Sequence, residues 1–291
     1  MADNAPFIRK PRWLTVKAPT SPEYLKLRAM MQREKLQTVC QSASCPNIGG
    51  CWHDGHAAFM ILGNICTRNC TFCDVPTGRP APVDFEEPQR LAKVVQRMGL
   101  RHVVITSVDR DDLEDGGAAQ FVACLDILHG QQAGYTIEVL TPDFRDKSGA
   151  LEKVLFAKPT IFNHNIETVQ RLFTSVRPAA DYRYSLDVLK KAADYNGASI
   201  QIKSGFMVGL GEHWAEVVQL LDDLRDSGVT LLTVGQYLRP SLKHHPVESY
   251  WPPERFDHLK EIALQKGFVK VMSNPLARSS IREDDRAVKF G

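Results

Sequence analysis

From residue 57 onward, short apolar runs alternate with longer stretches of helical periodicity. The runs 57–63 (AAFMILG), 102–106 (HVVIT), 136–140 (TIEVL), 160–164, 199–207 (SIQIKSGFM), 231–236 (LLTVGQ) and 269–273 read as buried strands. They are short and mostly apolar at successive positions, as strands covered on both faces are. Helices are predicted over 86–98, 118–129, 147–157, 167–174, 183–196, 213–227 and 253–266; in the first, Leu91, Val94, Val95 and Met98 share one face. This alternation predicts βαβ units and a parallel sheet. Six or seven units fit, fewer than the eight of a closed TIM barrel. The expected fold is therefore α/β, an incomplete TIM-type barrel of about six βα units over 57–275. An irregular N-terminal extension, 1–56, precedes it, with one helix over 23–34, and a C-terminal tail, 276–291, follows. Strand ends carry polar or glycine-containing turns, and that edge is where α/β sheets and barrels bind ligands.

Composition narrows the functional classes only modestly. Lys plus Arg is 36 and Asp plus Glu is 34, a formal charge of +2. That balance gives no argument for nucleic acid or an anionic membrane as partner. No apolar run reaches the ~20 residues that span a bilayer. Residues 1–22 are polar, contain proline and lack the apolar core of a secretory signal, so a cytoplasmic location is expected. In that reducing compartment, clustered cysteines point to metal or catalysis rather than disulfides. Six of the seven cysteines lie between Cys40 and Cys73, and only Cys124 follows. Cys124 sits in an apolar helical string (FVACLDIL) and is expected to be a small core residue.

Two constellations emerge. Cys66, Cys70 and Cys73 form C-x3-C-x2-C directly after the first predicted strand. Three thiolates can hold three irons of a [4Fe–4S] cluster and leave the fourth iron open for chemistry. Zinc is not excluded by counting, since Cys40, Cys45 or His53 could complete a tetrahedral set, although the spacing is not the paired C-x2-C of zinc ribbons. Upstream, Cys40, Cys45 and Cys51 form C-x4-C-x5-C. These three could hold a second cluster, with a fourth ligand from elsewhere or with an open iron.

The C-x3-C-x2-C loop after a first barrel strand resembles the defining motif of the radical S-adenosylmethionine (SAM) superfamily. The string 38–52 (TVCQSASCPNIGGCW) resembles the auxiliary-cluster motif of the lipoyl synthase family. Further similar segments are 59–63, 73–75, 106–113 (TSVDRDDL) with Asp115-Gly116-Gly117, 163–168 (NHNIET), 203–205, 207–212 (MVGLGE), 236–238 and Arg278-Ser279-Ser280. The resemblance spans about residues 36–281. There are two departures. Gly50 stands where the family usually has Glu, and Ile281 stands where its Arg-Ser-Ser-Tyr signature has Tyr.

The resemblance implies a sulfur-inserting enzyme with two [4Fe–4S] clusters and SAM. It would place two sulfurs at C6 and C8 of an octanoyl chain on a carrier lysine, use two SAM per product and consume the auxiliary cluster. It implies that Cys66, Cys70 and Cys73 carry the SAM-cleaving cluster, with Phe72 packing near the adenine. Cys40, Cys45 and Cys51 would carry the auxiliary one. Ser280, with Ser279 the less favoured choice, is then the fourth auxiliary ligand. Thr106, Ser107, Asp109, Glu138, Asn165 and Lys203, all at predicted strand ends, are candidates for holding SAM. Asp109–Asp112 could equally be a solvated charged loop. Lys203, in a largely apolar string, is expected to point into the barrel mouth. The implied partners are an octanoylated lipoyl carrier domain (a 2-oxoacid dehydrogenase E2 or glycine cleavage H protein), a reductant such as flavodoxin or ferredoxin, and an iron–sulfur cluster donor; neither nucleic acid nor membrane is expected. His244-His245 reads as a surface or substrate-contact pair. Biotin synthase is the nearest rival within the superfamily; outside it, the rivals are a non-catalytic iron–sulfur carrier and a zinc scaffold.

Overall fold

The computed structural model describes residues 9–16, 18–54, 56–195 and 199–280. The start of the chain, the expected helix end at Asn196, and Ile281 with the remainder of the expected tail lie outside them. The sheet has eight strands: β1 (Gln37–Thr38), β2 (Ala58–Ile61), β3 (His102–Ser107), β4 (Thr136–Leu140), β5 (Ile161–Asn163), β6 (Gln201–Val208), β7 (Leu231–Gln236) and β8 (Lys270–Ser273). Their spatial order is their chain order. β1 runs antiparallel to β2, and every other pairing is parallel. β8 pairs with β7 and not with β1, so the ring stays open, as an incomplete barrel requires.

Ten helices are described. In the extension lie α1 (Pro22–Arg33), α2 (Val39–Ser42) and α3 (Ile48–His53). The crossovers carry α4 (Glu87–Met98), α5 (Ala118–Gly130), α6 (Ala150–Phe156), α7 (Phe173–Val176), α8 (Tyr182–Ala193), α9 (Trp214–Asp226) and α10 (Pro253–Gln265). Local chemistry sets their ends. Ser21 and Asp181 cap α1 and α8 by accepting from Tyr24 and Tyr184 N–H. Gly99, with φ +62°, ends α4 in the left-handed conformation glycine favours.

Parallel register gives the two faces of the sheet different jobs. Val103, Ile105, Ile137, Val139, Phe162, Ile202 and Val234 point to one face and join Leu91, Phe121, Val154, Leu189, Leu221 and Leu259 of the helices in one buried cluster. Cys124 is buried in that cluster, the core position expected of it. The other face carries Thr106, Glu138, Asn163, Lys203, Gly205, Thr233 and Gly235. The outward face is thus apolar, while the inward face sets these polar groups among Met60, Val104, Leu140, Ile161 and Met207.

Two regions differ from the sequence expectation. The extension is not irregular: Gln37 and Thr38 add a strand to the sheet, and both upstream cysteine helices are short and locally capped or packed. The helix expected over 167–174 is replaced by a β-bridge from Glu167 to Phe206, a 3-10 turn at Gln170–Leu172 and the one-turn α7. Glu167 has φ +69°, which no α-helix accepts. Among the described residues no helix is long and apolar enough to cross a membrane.

Candidate functional site: two cysteine loops and a polar strand edge

The chain leaves β2 through an unusual turn. Leu62 has φ +69° and is held there from three sides. Its N–H donates to Glu87 Oε2 (3.0 Å), its carbonyl accepts from Arg110 Nη1 (3.2 Å), and a Cβ on Gly117 would come within 2.2 Å of its side chain. The loop that follows carries Cys66, Cys70 and Cys73. Cys66 N–H donates to Pro76 O (2.8 Å), and its carbonyl accepts from Gly78 N–H (2.9 Å), closing the loop on itself.

Charged anchors fix this loop to the ends of β3 and β4. Arg68, between the first two cysteines, is buried. Its guanidinium makes a bidentate pair with Asp111 (2.9 and 2.8 Å), a second with Asp143 (2.9 and 2.8 Å), and approaches Asp109 at 3.4 Å. Thr67 adds bonds to Asp109 O (3.0 Å) and Asp111 Oδ2 (2.9 Å). The run Asp109–Asp112 grips the loop although Asp111 and Asp112 also meet solvent: Arg110 is buried and bidentate to Asp112. On the other side, Thr71 N–H donates to Val176 O (3.0 Å), His245 N–H donates to Thr71 O (2.8 Å), and His244 Nε2 lies 3.1 Å from Cys73 O.

The donor set fits an iron–sulfur cluster. Backbone N–H groups of Asp109 and Arg68 already point at Cys66 Sγ, at 3.3 and 3.4 Å. Such N–H···S contacts tune clusters. Burial pushes the Cys66 and Cys70 thiols up to about 11 and Cys73 to about 12. Without metal the three are neutral thiols; a bound cation would claim the thiolates. Among the described residues no three His, Cys, Asp or Glu side chains converge on one point as a single-ion site needs. A cubane binds each thiolate through a different iron, so its ligands stand apart.

Cys40 lies in α2, Cys45 in the turn after it and Cys51 in α3. Thr38 accepts from Gln41 N–H to start α2, and Cys45 N–H donates to Cys40 O (3.0 Å). Burial pushes the Cys40 thiol up to about 12, with Cys45 adding to the rise. Gly50 lies inside α3, its carbonyl accepting from Asp54 N–H (3.0 Å). Two links tie this loop to the rest of the site. Ser44 donates to the Asp74 carboxylate, next to Cys73. Asn47 Nδ2 donates to Leu276 O (2.6 Å) in the tail, and the Arg278 side chain reaches Cys45. Burial pulls Arg278 below its ordinary value, while Cys45 acts in the opposite sense.

The strand edge between the loops is polar and incompletely satisfied. Among the described residues, the buried Ser107 Oγ, Thr141 Oγ1, Asn163 Oδ1, His164 Nε2 and Thr168 Oγ1 have no hydrogen-bond partner. All five lie at or just past the C-terminal ends of β3, β4 and β5. Buried polar atoms are rarely left unpaired, and a concentration of them at one edge suits a polar ligand. Phe72 packs beside Val176, Leu210 and Tyr237 at the same mouth.

The remaining candidates have protein partners. Thr106 Oγ1 donates to Leu140 O (3.0 Å). Glu138 is fully buried and accepts from Lys203 Nζ (2.9 and 3.1 Å) and Asn163 Nδ2 (2.9 Å), with His102 Nε2 at 3.3 Å. Burial pushes Glu138 up, but Lys203 and His102 hold it below its ordinary value. Asn165 Oδ1 accepts from Ser279 Oγ (3.0 Å). Sequence reasoning gave no site role to Arg68, Asp143 or Gly235, nor to Ser44, Asp74 and Gly205, which it met only inside family-like segments. Arg68 alone offered a signal, a cation lodged between two cluster cysteines.

Comparison with known proteins agrees with this geometry. The family model described as the radical SAM superfamily matches residues 60–224. The chain is 52% identical over 280 residues to a lipoyl synthase of Nitrosococcus oceani, covering 96% of this chain and 86% of the relative. Its fold is similar to methylornithine synthase (TM-score 0.54, 14% identity, 91% of this chain and 87% of the other). It is also similar to Streptococcus suis SuiB bound to S-adenosylmethionine (TM-score 0.57, 10% identity, 78% of this chain and 53% of the other). With a superfamily match across more than half its length and a near-complete relative at this identity, the chain belongs to the lipoyl synthase family of radical SAM enzymes.

Proposed function

We propose that this chain inserts two sulfur atoms at C6 and C8 of an octanoyl group amide-linked to a lysine of a lipoyl carrier domain. The carrier is a 2-oxoacid dehydrogenase E2 or a glycine cleavage H protein. The observation that carries the reading is the pair of three-cysteine loops, linked through Ser44 and Asp74 and opening on one unsatisfied polar strand edge. Unactivated C–H bonds offer no acidic proton, so acid–base catalysis cannot begin this reaction.

In this reading Cys66, Cys70 and Cys73 hold a [4Fe–4S] cluster with one open iron for SAM. Cys40, Cys45 and Cys51 hold the second, with Ser280 as the fourth ligand. The Ser279 hydroxyl is engaged by Asn165, which favours Ser280 over its neighbour. When bound, the first cluster would supply the electron, replenished by the reductant, that cleaves each of two SAM molecules to a hydrogen-abstracting 5′-deoxyadenosyl radical, and the auxiliary cluster would supply the two sulfurs.

The chain's own residues bind, orient and exclude water. Phe72 offers an apolar face for adenine. Thr106, Ser107, Asp109 and Asn165 would serve the ribose, sulfonium and amino-acid groups, and among them Ser107 Oγ and Asp109 Oδ1 are buried without a hydrogen-bond partner. Glu138 and Lys203 are paired with each other, so any contribution to SAM from them comes from beneath these first contacts. A reductant such as flavodoxin or ferredoxin and a cluster donor complete the cycle, in the cytoplasm.

The test uses anaerobically reconstituted, reduced protein with SAM and an octanoyl-lysine peptide. Mass spectrometry follows the peptide and 5′-deoxyadenosine together. A gain of two sulfurs with two deoxyadenosines per product is expected. Deoxyadenosine without sulfurated peptide would sink the octanoyl substrate while keeping the radical chemistry.

A further inference from the structure

Residues 276–279, the described start of the C-terminal tail, are set into the barrel mouth. Lys203 Nζ donates to Ser279 O (2.5 Å), and Ser279 Oγ donates to Asn165 Oδ1 (3.0 Å). Two strand glycines make the room. A Cβ on Gly235 would lie 2.2 Å from Ala277 O and 3.0 Å from Arg278 Nη1. A Cβ on Gly205 would lie 2.8 Å from Ser279 Oγ. Glycine in a central strand weakens it and marks close approach of another backbone. From the other side, Asn47 holds Leu276 O and Arg278 reaches Cys45. Residues 276–279 thus span from the auxiliary cysteine loop to a cradle on β6 and β7.

We propose that Lys203 is a positioning residue for the auxiliary cluster, acting through the tail, and that Gly205 and Gly235 are the seats that admit the tail. Lys203 is a buried cation with Glu138 beneath it and a single backbone carbonyl above it. A buried ion pair is poor value for stability alone, and its better-attested use is to fix one arrangement among several. Here the arrangement fixed is the path of the chain immediately before Ser280. The cradle sets where Ser280 can reach, and removing it frees that residue from the auxiliary loop. This inference rests on the reading of Cys40, Cys45 and Cys51 as cluster ligands, and it moves Lys203 from SAM to the tail.

The test compares the full chain with its Gly235→Ala and Lys203→Met variants. Lys203→Met takes from Glu138 its lysine, leaving Asn163 and His102, and costs stability; Gly235→Ala evicts the tail without touching that pair, so it keeps the question open to refutation. In the metal-free proteins, trypsin cleavage after Arg278 is expected to rise in both variants. In a background with Cys66, Cys70 and Cys73 replaced by alanine, reconstituted iron and sulfide report the auxiliary cluster alone. Both variants are expected to lose its iron to a chelator about 10–100-fold faster. Both should also change its electron paramagnetic resonance or Mössbauer signature in the same way. SAM affinity in the wild-type cysteine background is expected to stay within a few-fold. Unchanged tail cleavage and cluster spectra in Gly235→Ala would overturn the inference, as would a large loss of SAM affinity in Lys203→Met with the auxiliary spectrum intact. A parent that assembles no second cluster at all would instead sink the underlying reading.

Discussion

The two cysteine loops are built in opposite ways. The Cys66–Cys73 loop grows directly out of β2, the first parallel strand, and is gripped by residues distant in sequence: three aspartates on Arg68, Val176 and His245 on Thr71, and His244 on Cys73. The Cys40–Cys51 loop rides on helices of four and six residues at the open edge of the sheet, and its ties run to the chain's other end through Asn47 and Arg278. One loop is part of the barrel. The other packs Cys40, Cys51 and Trp52 into the same buried cluster but is carried by two short helices beside the edge strand, and short edge elements open at lower cost than central ones. A permanent centre suits the first; a centre that is taken apart and rebuilt, as proposed above, suits the second.

The sharpest way to break that contrast is to remove one thiol from each loop. Cys70→Ala is expected to abolish 5′-deoxyadenosine formation, because the open-iron cluster loses one of three ligands. Cys45→Ala is expected to retain SAM cleavage and to lose sulfurated peptide. Product analysis by mass spectrometry separates the two. Equal loss of deoxyadenosine in both variants would mean that the loops act as one site.

The anchoring contrast has its own test in the metal-free protein. Arg68→Met leaves Asp109, Asp111 and Asp143 facing one another without their cation. Breaking a buried pair in this way costs on the order of 3–5 kcal/mol. Arg278→Met, in the tail, removes no partner of a buried carboxylate and is expected to cost no more than about 1.5 kcal/mol, the scale of one hydrogen bond. Urea unfolding of the two variants measures the difference. Similar costs would mean that both loops are equally anchored.

Sequence made the barrel legible because parallel strands buried on both faces read as apolar runs. The cysteine spacing made both loops legible because thiolates have few other uses in a chain of this kind. What it could not show was pairing at long range. Arg68 meets Asp111 and Asp143 across 43 and 75 residues, and nothing local to Arg68 names them. Gly205 and Gly235 look like ordinary strand glycines until the tail is seen against them. The helices α2 and α3 are too short for periodicity to register, and the expected helix over 167–174 fails because Glu167 turns left-handed to bridge β6. His244 and His245 were legible only as a pair; their role over the cluster loop depends on the fold of the 239–249 loop.

A smaller effect follows from the charge pair under the tail. Glu138 is held below its unfolded value of 4.5, so its pairing contributes stability above that pH, and the contribution is lost as pH falls below it. In the metal-free protein, the urea midpoint of wild type is expected to drop between pH 7 and pH 3 more steeply than that of the Glu138→Gln/Lys203→Met double variant. Parallel slopes would mean that other carboxylates carry the acid sensitivity.

The smallest effect tests a direct tie between the two loops. Asp74 follows Cys73, Ser44 precedes Cys45, and the Ser44 hydroxyl donates to the Asp74 carboxylate. His244 Nε2 stands 3.8 Å from the same carboxylate. Ser44 has φ +48°, a conformation costly for a serine, so its placement is imposed by the surrounding turn rather than chosen by the residue. If the loops fold as separate units, Ser44→Ala and Asp74→Ala add independently. If this bond couples them, a double-mutant cycle returns an interaction of about 0.5–1.5 kcal/mol. Repeating the cycle with chelator-driven iron loss as the readout asks the same question of the loaded protein, and the prediction is that Asp74→Ala speeds loss from the auxiliary loop more than from the barrel loop. The barrel loop keeps the polar ties of Arg68, Thr67 and Thr71 when Asp74 goes, while the auxiliary loop keeps its core packing through Cys40, Cys51 and Trp52 and the bond from Asn47 to Leu276 O.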